Sequence, residues 1–173
     1  MCKRALARST RHHAINDIVS RSIVSAGVPV SREPPGMVSG TLKRPDGVTL
    51  IPWKGGKALS WDATVVTTLA DSYLEDSAAQ FGFASESAAT KKIAKYSDLP
   101  RDFIFQPVAL ENLGPASAST AEFFSELGHR ISLVSGDPRE EFYLRQRVSI
   151  CIQRFNAILL HQSFVDPLPE PDE

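Results

Sequence analysis

Two acids, Asp46 and Asp62, bracket a run whose residue types favour extended chain. Val48 to Ile51 lies on one side of a Pro/Gly-rich break, and Lys57 to Val66 on the other. With Pro52 to Gly56 as the connecting loop, Ile51 pairs with Lys57, and counting outward sets Leu50 opposite Ala58, Val48 opposite Ser60 and Asp46 opposite Asp62. Directly opposed residues share a face of the sheet at roughly 5 Å. Two carboxylates that close repel unless a cation sits between them. Hard divalent ions such as Mg²⁺ or Mn²⁺ take oxygen ligands and are often held by one or two carboxylates plus substrate phosphate oxygens. That chemistry suits phosphodiester hydrolysis, in which the metal activates water and offsets developing charge. The alternative is plain: Pro45-Asp46-Gly47 is a common turn tripeptide, and a strand aspartate at an edge is simply solvated.

Other polar residues fall where they bear on the same chemistry. Glu33 ends a short strand, Val28 to Glu33, next to the hairpin in sequence, and either points toward the acid pair or is an edge charge. Lys92 and Lys95 stand one helical turn apart and project to neighbouring positions. A lysine reaching over the strand pair would stabilise charge on a scissile phosphate; the other reading is a solvated lysine-rich face with Tyr96 packed beneath. His12 and His13 lie at the expected start of a helix, among backbone N–H groups that favour anions, or serve as plain exposed or capping residues. Glu111, at a strand end before Asn112-Leu113-Gly114, is a supporting acid or a loop charge.

The elements that must position these side chains follow from periodicity and punctuation. Arg11 to Ala26 reads as a helix, with Ala14, Ile15, Ile18, Val19, Ile23 and Ala26 recurring at three and four residues and Gly27 as the stop. Thr67 to Phe83 reads as a loop or short helical turns. Ser85 to Leu99 reads as an Ala/Lys/Glu helix that Pro100 ends. Phe103 to Glu111 is apolar enough for a central strand covered on both faces, although Pro107 removes a ladder donor and suggests a bulge or sheet border. Ser119 with Glu122 forms a capping box for a helix ended by Gly136. Asp137, Pro138 and Glu140 start the next. That last helix carries Leu144, Val148, Cys151, Phe155, Ile158 and Leu159 on its apolar stripe, making Cys151 a core thiol. Arg145, Arg147, Gln153, Arg154 and Asn156 lie elsewhere on it, either facing a nucleic-acid backbone or merely wet.

At 173 residues and 42% apolar content the chain fits one globular domain with a sizeable core. No apolar run approaches a membrane span and the N-terminus lacks a signal-peptide core, so a soluble intracellular protein is expected. Cys2 and Cys151 make neither a disulfide framework nor a complete zinc site. The net charge of -1 is unevenly spread: residues 1–44 hold eight Lys/Arg against Asp17 and Glu33, leaving the remainder at -7. A basic N-terminal quarter suits a phosphate backbone; the alternative is a solvated basic segment. Residues 1–10 are expected to be frayed, and the acidic, proline-rich 165–173 to be a disordered tail.

The order helix, strand, hairpin, helix, strand, two helices resembles the PD-(D/E)XK nuclease core: an α/β (α+β) fold whose central mixed sheet of about four strands is flanked by helices. The local motifs narrow the likeness. Arg11-His12-His13-Ala14-Ile15-Asn16-Asp17, Glu33-Pro34, Lys43-Arg44-Pro45-Asp46-Gly47, Trp61-Asp62-Ala63-Thr64, Lys92-x-x-Lys95-Tyr96, Glu111-x-x-Gly114 and Gln153-Arg154-x-Asn156 occur in that order. Together they resemble the restriction-like endonuclease domain found downstream of the reverse transcriptase in certain non-LTR retrotransposon polyproteins, over about Cys2 to Asn156. The domain itself is then expected over 11–164. The resemblance implies Mg²⁺- or Mn²⁺-dependent nicking of target DNA, in the nucleus, alongside the reverse transcriptase. It makes Asp46 and Asp62 the metal-binding acids with Glu33 as a further ligand, and Lys92 or Lys95 the catalytic lysine. It also implies DNA contact by Arg11, His12, His13, Arg44 and Tyr96. Two departures stand out. The superfamily's lysine two residues past the second acid is Thr64 here, and of the family's upstream Cys/His zinc knuckle only Cys2 remains, as in a fragment of a longer polyprotein or a decayed or repurposed copy. The alternative function is a catalytically inactive nucleic-acid-binding or interaction module.

Overall fold

The computed structural model describes residues 3–35, 37 and 44–164, so Cys2, Lys43 and the tail 165–173 lie outside the described residues. The elements run α1 (Lys3–Ser25), β1 (Val30–Arg32), β2 (Gly47–Thr49), β3 (Ala58–Val66), α2 (Asp71–Ala79), α3 (Phe83–Lys95), β4 (Phe103–Glu111), α4 (Ala118–Ser135) and α5 (Glu140–Phe164). The four strands form one mixed sheet in the order β1-β2-β3-β4. β1 and β3 each pair antiparallel with β2, and β3 pairs parallel with β4 along nine residues. The helix-flanked mixed α/β architecture expected from the sequence is therefore present.

Strand β3 divides the molecule by its two-residue alternation. Leu59, Trp61 and Ala63 enter a core with Ile15, Val19 and Ile23 of α1, Phe123, Phe124 and Leu127 of α4, and Leu144 and Val148 of α5. The opposite face of the sheet meets α3, where Ala88 and Ala89 pack on Ala109 and Val66. Asp62, between Trp61 and Ala63, belongs to this second face. Small alanines on α3 let that helix lie close to the sheet, which brings the lysines of its last turn over Asp62.

The hairpin register near the acids is the one counted from the sequence, with Val48 opposite Ser60 and Gly47 opposite Trp61. The connection differs from the expected Pro52–Gly56 loop. A two-residue Gly55-Gly56 turn, with φ of 57° and 76°, closes a Lys54–Lys57 bridge. Both positive φ values require glycine in a turn of this hand. Leu50 to Pro52 are then extra residues on the β2 side. Thr49 absorbs the offset: its Oγ1 accepts from the Leu59 N–H at 2.9 Å and donates to the Ile51 carbonyl at 2.8 Å.

Gly47 is not a turn residue, as a Pro-Asp-Gly turn would have it, but part of β2. A Cβ there would fall inside the Trp61 ring. Gly47→Ala is accordingly expected to overpack the strand pair and cost about 3 kcal/mol, lowering Tm by roughly 6–12 °C. An unchanged Tm in calorimetry would contradict this packing.

Three other expectations need correction. α1 begins at Lys3 rather than Arg11, so residues 3–10 are helical instead of frayed. Of the two readings of Thr67 to Phe83, loop or short helical turns, Asp71–Ala79 takes the helical one, as a helix of 9 residues. β4 is the border strand and not a central one. Pro107 is compatible with that border, and the outer edge is closed by the chain entering α4: Ala109 N–H donates to Thr120 Oγ1 at 2.9 Å, Ser117 N–H to the Ala109 carbonyl at 3.0 Å and Glu111 N–H to the Pro115 carbonyl at 3.1 Å. Finally, α4 is capped by Ser117, whose hydroxyl accepts from Thr120 N–H, and not by the Ser119/Glu122 box. Gly136 ends α4 in a left-handed conformation as expected. Cys151 is half-buried against the core rather than inside it.

Candidate functional site

Asp46 and Asp62 are positioned by the same strand pair. The Asp46 N–H donates to the Trp61 carbonyl at 2.9 Å, continuing the ladder one residue past β2. Its carboxylate is then fixed by two groups: Oδ2 accepts from the Ala63 N–H at 2.6 Å, and Oδ1 faces His12 Nε2 at 3.1 Å. Asp62 keeps 4% of its side chain exposed, and both of its oxygens are engaged: Oδ1 by Lys92 Nζ at 2.7 Å and Oδ2 by Lys95 Nζ at 3.3 Å. The two helix lysines therefore do reach the second acid from the far end of α3. Lys92, at 21% side-chain exposure, is the more enclosed; Lys95, at 42%, also lies over the Tyr96 ring at 4.6 Å.

α1 brings His12 to the site through a buried anchor. Trp61 Nε1 donates to Asn16 Oδ1 at 2.8 Å, tying the helix to β3 one residue before Asp62. One helical turn earlier, His12 meets Asp46. The hydrogen bond to Asp46 raises the His12 pKa, burial opposes it, the charges of Asp46 and Asp62 add to the rise and Lys92 subtracts from it. A folded-state pKa above the ordinary 6.5 means that this pair stabilises the fold fully below about pH 6.5 and that the contribution is lost as pH climbs through the raised value. His12→Gln should therefore cost more stability at about pH 6 than at about pH 8, as read by urea unfolding. A pH-independent difference would contradict the His12–Asp46 bond.

The other expected site residues divide. Arg11 is buried, with Nη2 donating to the Val65 carbonyl at 3.2 Å, and lines a cavity of about 150 Å³ together with Arg8, His12, Thr64 and Val65. His13 is exposed and stands edge-on to His12 at 5.6 Å between ring centroids. Arg44 is half-exposed, its guanidinium 3.9 Å from Glu33. Glu33 itself adopts φ 46° and gives its N–H to the Asp46 carbonyl at 2.8 Å, so its backbone supports the site while its carboxylate turns to Arg44 and solvent. Among the described residues no three acid, histidine or cysteine side chains gather as a metal cluster, and Glu33 does not join the acid pair as a third ligand. Tyr96 also departs from its expected DNA contact. It is 2% exposed, its hydroxyl donates to the Arg44 carbonyl at 2.7 Å, and its ring stacks on Phe105 at 4.7 Å. Burial, reinforced by the neighbouring acids, raises its pKa and keeps the phenol neutral. Its place is to hold the Arg44 backbone beside the lysines.

Glu111 supports α3 from below. Its Oε1 accepts from both the N–H and the hydroxyl of Ser85, at 3.0 and 3.2 Å, in the first turn of the helix that carries the lysines. Gly114 is compelled by the same carboxylate, since a Cβ there would sit 2.6 Å from Glu111 Oε2. Arg145 and Asn156 are structural: Arg145 binds Glu141 and the Ala121 carbonyl, and Asn156 donates to the Asn112 carbonyl at 2.6 Å. Arg8 is the residue that sequence reasoning passed over. Its signal was positional, one turn before Arg11 on a helix whose start was placed too late.

No family model matches the chain, and no curated protein matches it. None of the described helices is long and apolar enough to cross a membrane.

Proposed function

We propose that the chain is a divalent-metal-dependent DNA endonuclease domain, nicking a phosphodiester bond at Asp46 and Asp62, of the kind its sequence motifs resemble in retrotransposon polyproteins. The observation that carries this reading is two carboxylates in register on adjacent strands with two lysines from one helix closing on the second. The donor set suits Mg²⁺ or Mn²⁺, because both acids offer hard oxygen and the remaining positions belong to water and phosphate. Asp46 and Asp62 would hold the ion, which supplies charge neutralisation and an activated water. Asp46 is held ready by Ala63 N–H and His12, and has a lone pair to spare on each oxygen. Lys95, the longer and more exposed contact, can leave Asp62 at low cost. Lys92 keeps its position and presents its ammonium to a phosphate seated on the pair. Arg44 and His13, exposed beside the acids, contact flanking phosphates, with Arg11 and His12 forming the inner wall.

Supercoiled plasmid incubated with purified protein tests this: nicked circles in Mg²⁺ or Mn²⁺ and none in EDTA are expected. Lys92→Ala should lose more of the rate than Lys95→Ala, about 10²-fold against less than tenfold, since the enclosed ammonium is the pre-oriented one. Equal losses would reverse that assignment. A second reading, a binding module without catalysis, has one specific support: every oxygen of Asp62 is already matched by a lysine, so the acid pair is stable without hydrolytic work. It predicts salt-sensitive DNA binding and no nicking under any metal.

A further inference from the structure

Among the described side chains, arginines elsewhere on this protein have carboxylate partners: Arg21 and Arg32 share Asp17, Arg44 meets Glu33, Arg130 meets Glu126, Arg139 meets Asp137 and Arg145 meets Glu141. Apart from Arg101, the arginines without one are Arg8, Arg11, Arg147 and Arg154, and these four collect where α1 packs along α5. Arg11 is 5% exposed and finds only a backbone carbonyl. Burial and the charge of Arg8 lower its pKa, the mark of a cation lacking a counter-ion. A second groove, of about 450 Å³, lies between α1 and α5 and is lined by Asp17 and Ile18 of α1 and by Arg147, Cys151 and Arg154 of α5. Arg154 and Arg11 both act on the Cys151 thiol electrostatically, which places both near the same half-buried sulfur. Asp17 does not offset them, because its two oxygens are taken by Arg21 at 2.7 Å and Arg32 at 3.2 Å.

We infer that this α1–α5 seam is a track for a nucleic-acid phosphate backbone, running from the cavity of Arg8 and Arg11 beside the acid pair to Arg147 and Arg154 of α5. The track rests on the proposed function for its direction, since it starts at His12, the residue bonded to Asp46. Its own support is charge: guanidiniums without a carboxylate partner, exposed at Arg8, Arg147 and Arg154 and buried at Arg11, on a protein that pairs six of its other described arginines, fit a partner that brings the anions. An acidic protein surface would also bring them, but the arginines form a run of like charge along α1 and α5, which matches the repeating charge of a strand.

Fluorescence anisotropy with a short DNA duplex in EDTA, where no metal supports cleavage, reads the track separately from the chemistry. The double variant Arg147→Gln/Arg154→Gln should bind about tenfold more weakly at low salt and lose about 1.8 from the slope of log affinity against log salt, two phosphate contacts' worth. Arg139→Gln, at an exposed arginine just before α5 that is paired to Asp137, should match the unaltered chain in both. Both arginines of the double variant are exposed, so its Tm should be unchanged. Affinity and salt slope equal to the unaltered chain would overturn the track while leaving the nicking reaction standing. Binding that depends on Arg147 and Arg154 in a chain that never nicks would keep the track and remove the nuclease.

Discussion

Asp62→Asn is expected to abolish nicking, with a loss of about three orders of magnitude or more. The substitution keeps the side-chain shape but removes the charge that orders two lysines and that, on the proposed function, would hold a divalent ion. A metal acting as Lewis acid supplies several kcal/mol of transition-state stabilisation, and each 1.4 kcal/mol is tenfold in rate. The same change should lower stability only modestly, by about 1–3 kcal/mol. Lys95 is 42% exposed and can turn to water, whereas Lys92, at 21%, retains an amide oxygen as a weaker partner. Rate and stability thus separate, and single-turnover nicking alongside urea unfolding measures both. A variant that is folded and still nicks within tenfold of the unaltered rate would be inconsistent with a metal role for Asp62.

Trp61→Ala should have the largest effect on the fold, about 3–5 kcal/mol. Trp61 is fully buried, lies against Gly47, and carries the one hydrogen bond that joins β3 to Asn16 of α1. Removing the ring opens a cavity beneath the acids and leaves the Asn16 amide without its donor in an apolar surround. Because His12 depends on the placement of α1, the variant should also lose the pH dependence described for the His12–Asp46 pair. Unfolding by urea with the midpoint near that of the unaltered protein would contradict the central place given to this side chain.

The parts of the site legible in the sequence are those set by period and pairing. The alternation of Leu59, Trp61 and Ala63 fixes which face Asp62 takes, and opposing Val48 to Ser60 carries Asp46 to its neighbour whatever the loop does. The loop differs from the one that the Pro/Gly pattern predicts because Thr49 replaces a main-chain partner with its own hydroxyl, something no propensity signals. Lys92 and Lys95 were recognisable as neighbours on one helix. That both close on Asp62 depends on how near α3 lies to the sheet, which the alanines permit but do not announce. Tyr96 takes the packed place beneath the lysines that the second reading of this face gives it, and not the DNA contact that the resemblance implies: in the fold it is the plug under that turn. Of the two readings of Glu33, the edge charge is the one the fold takes: its backbone is left-handed and its carboxylate faces Arg44 and solvent. Border placement of β4 was hinted at by Pro107 alone, because its apolar run mirrors a central strand; α3 and the α4 entry cover it as neighbouring strands would.

Calorimetric titration of Mn²⁺ into the unaltered chain, Asp46→Ala and Asp62→Ala tests the central claim most directly, because it asks whether the opposed carboxylates hold a cation at all. One site in the unaltered chain, lost in both variants while their unfolding curves remain cooperative, is the expected result. The same Mn²⁺ affinity in all three proteins, or no binding to any, would contradict it.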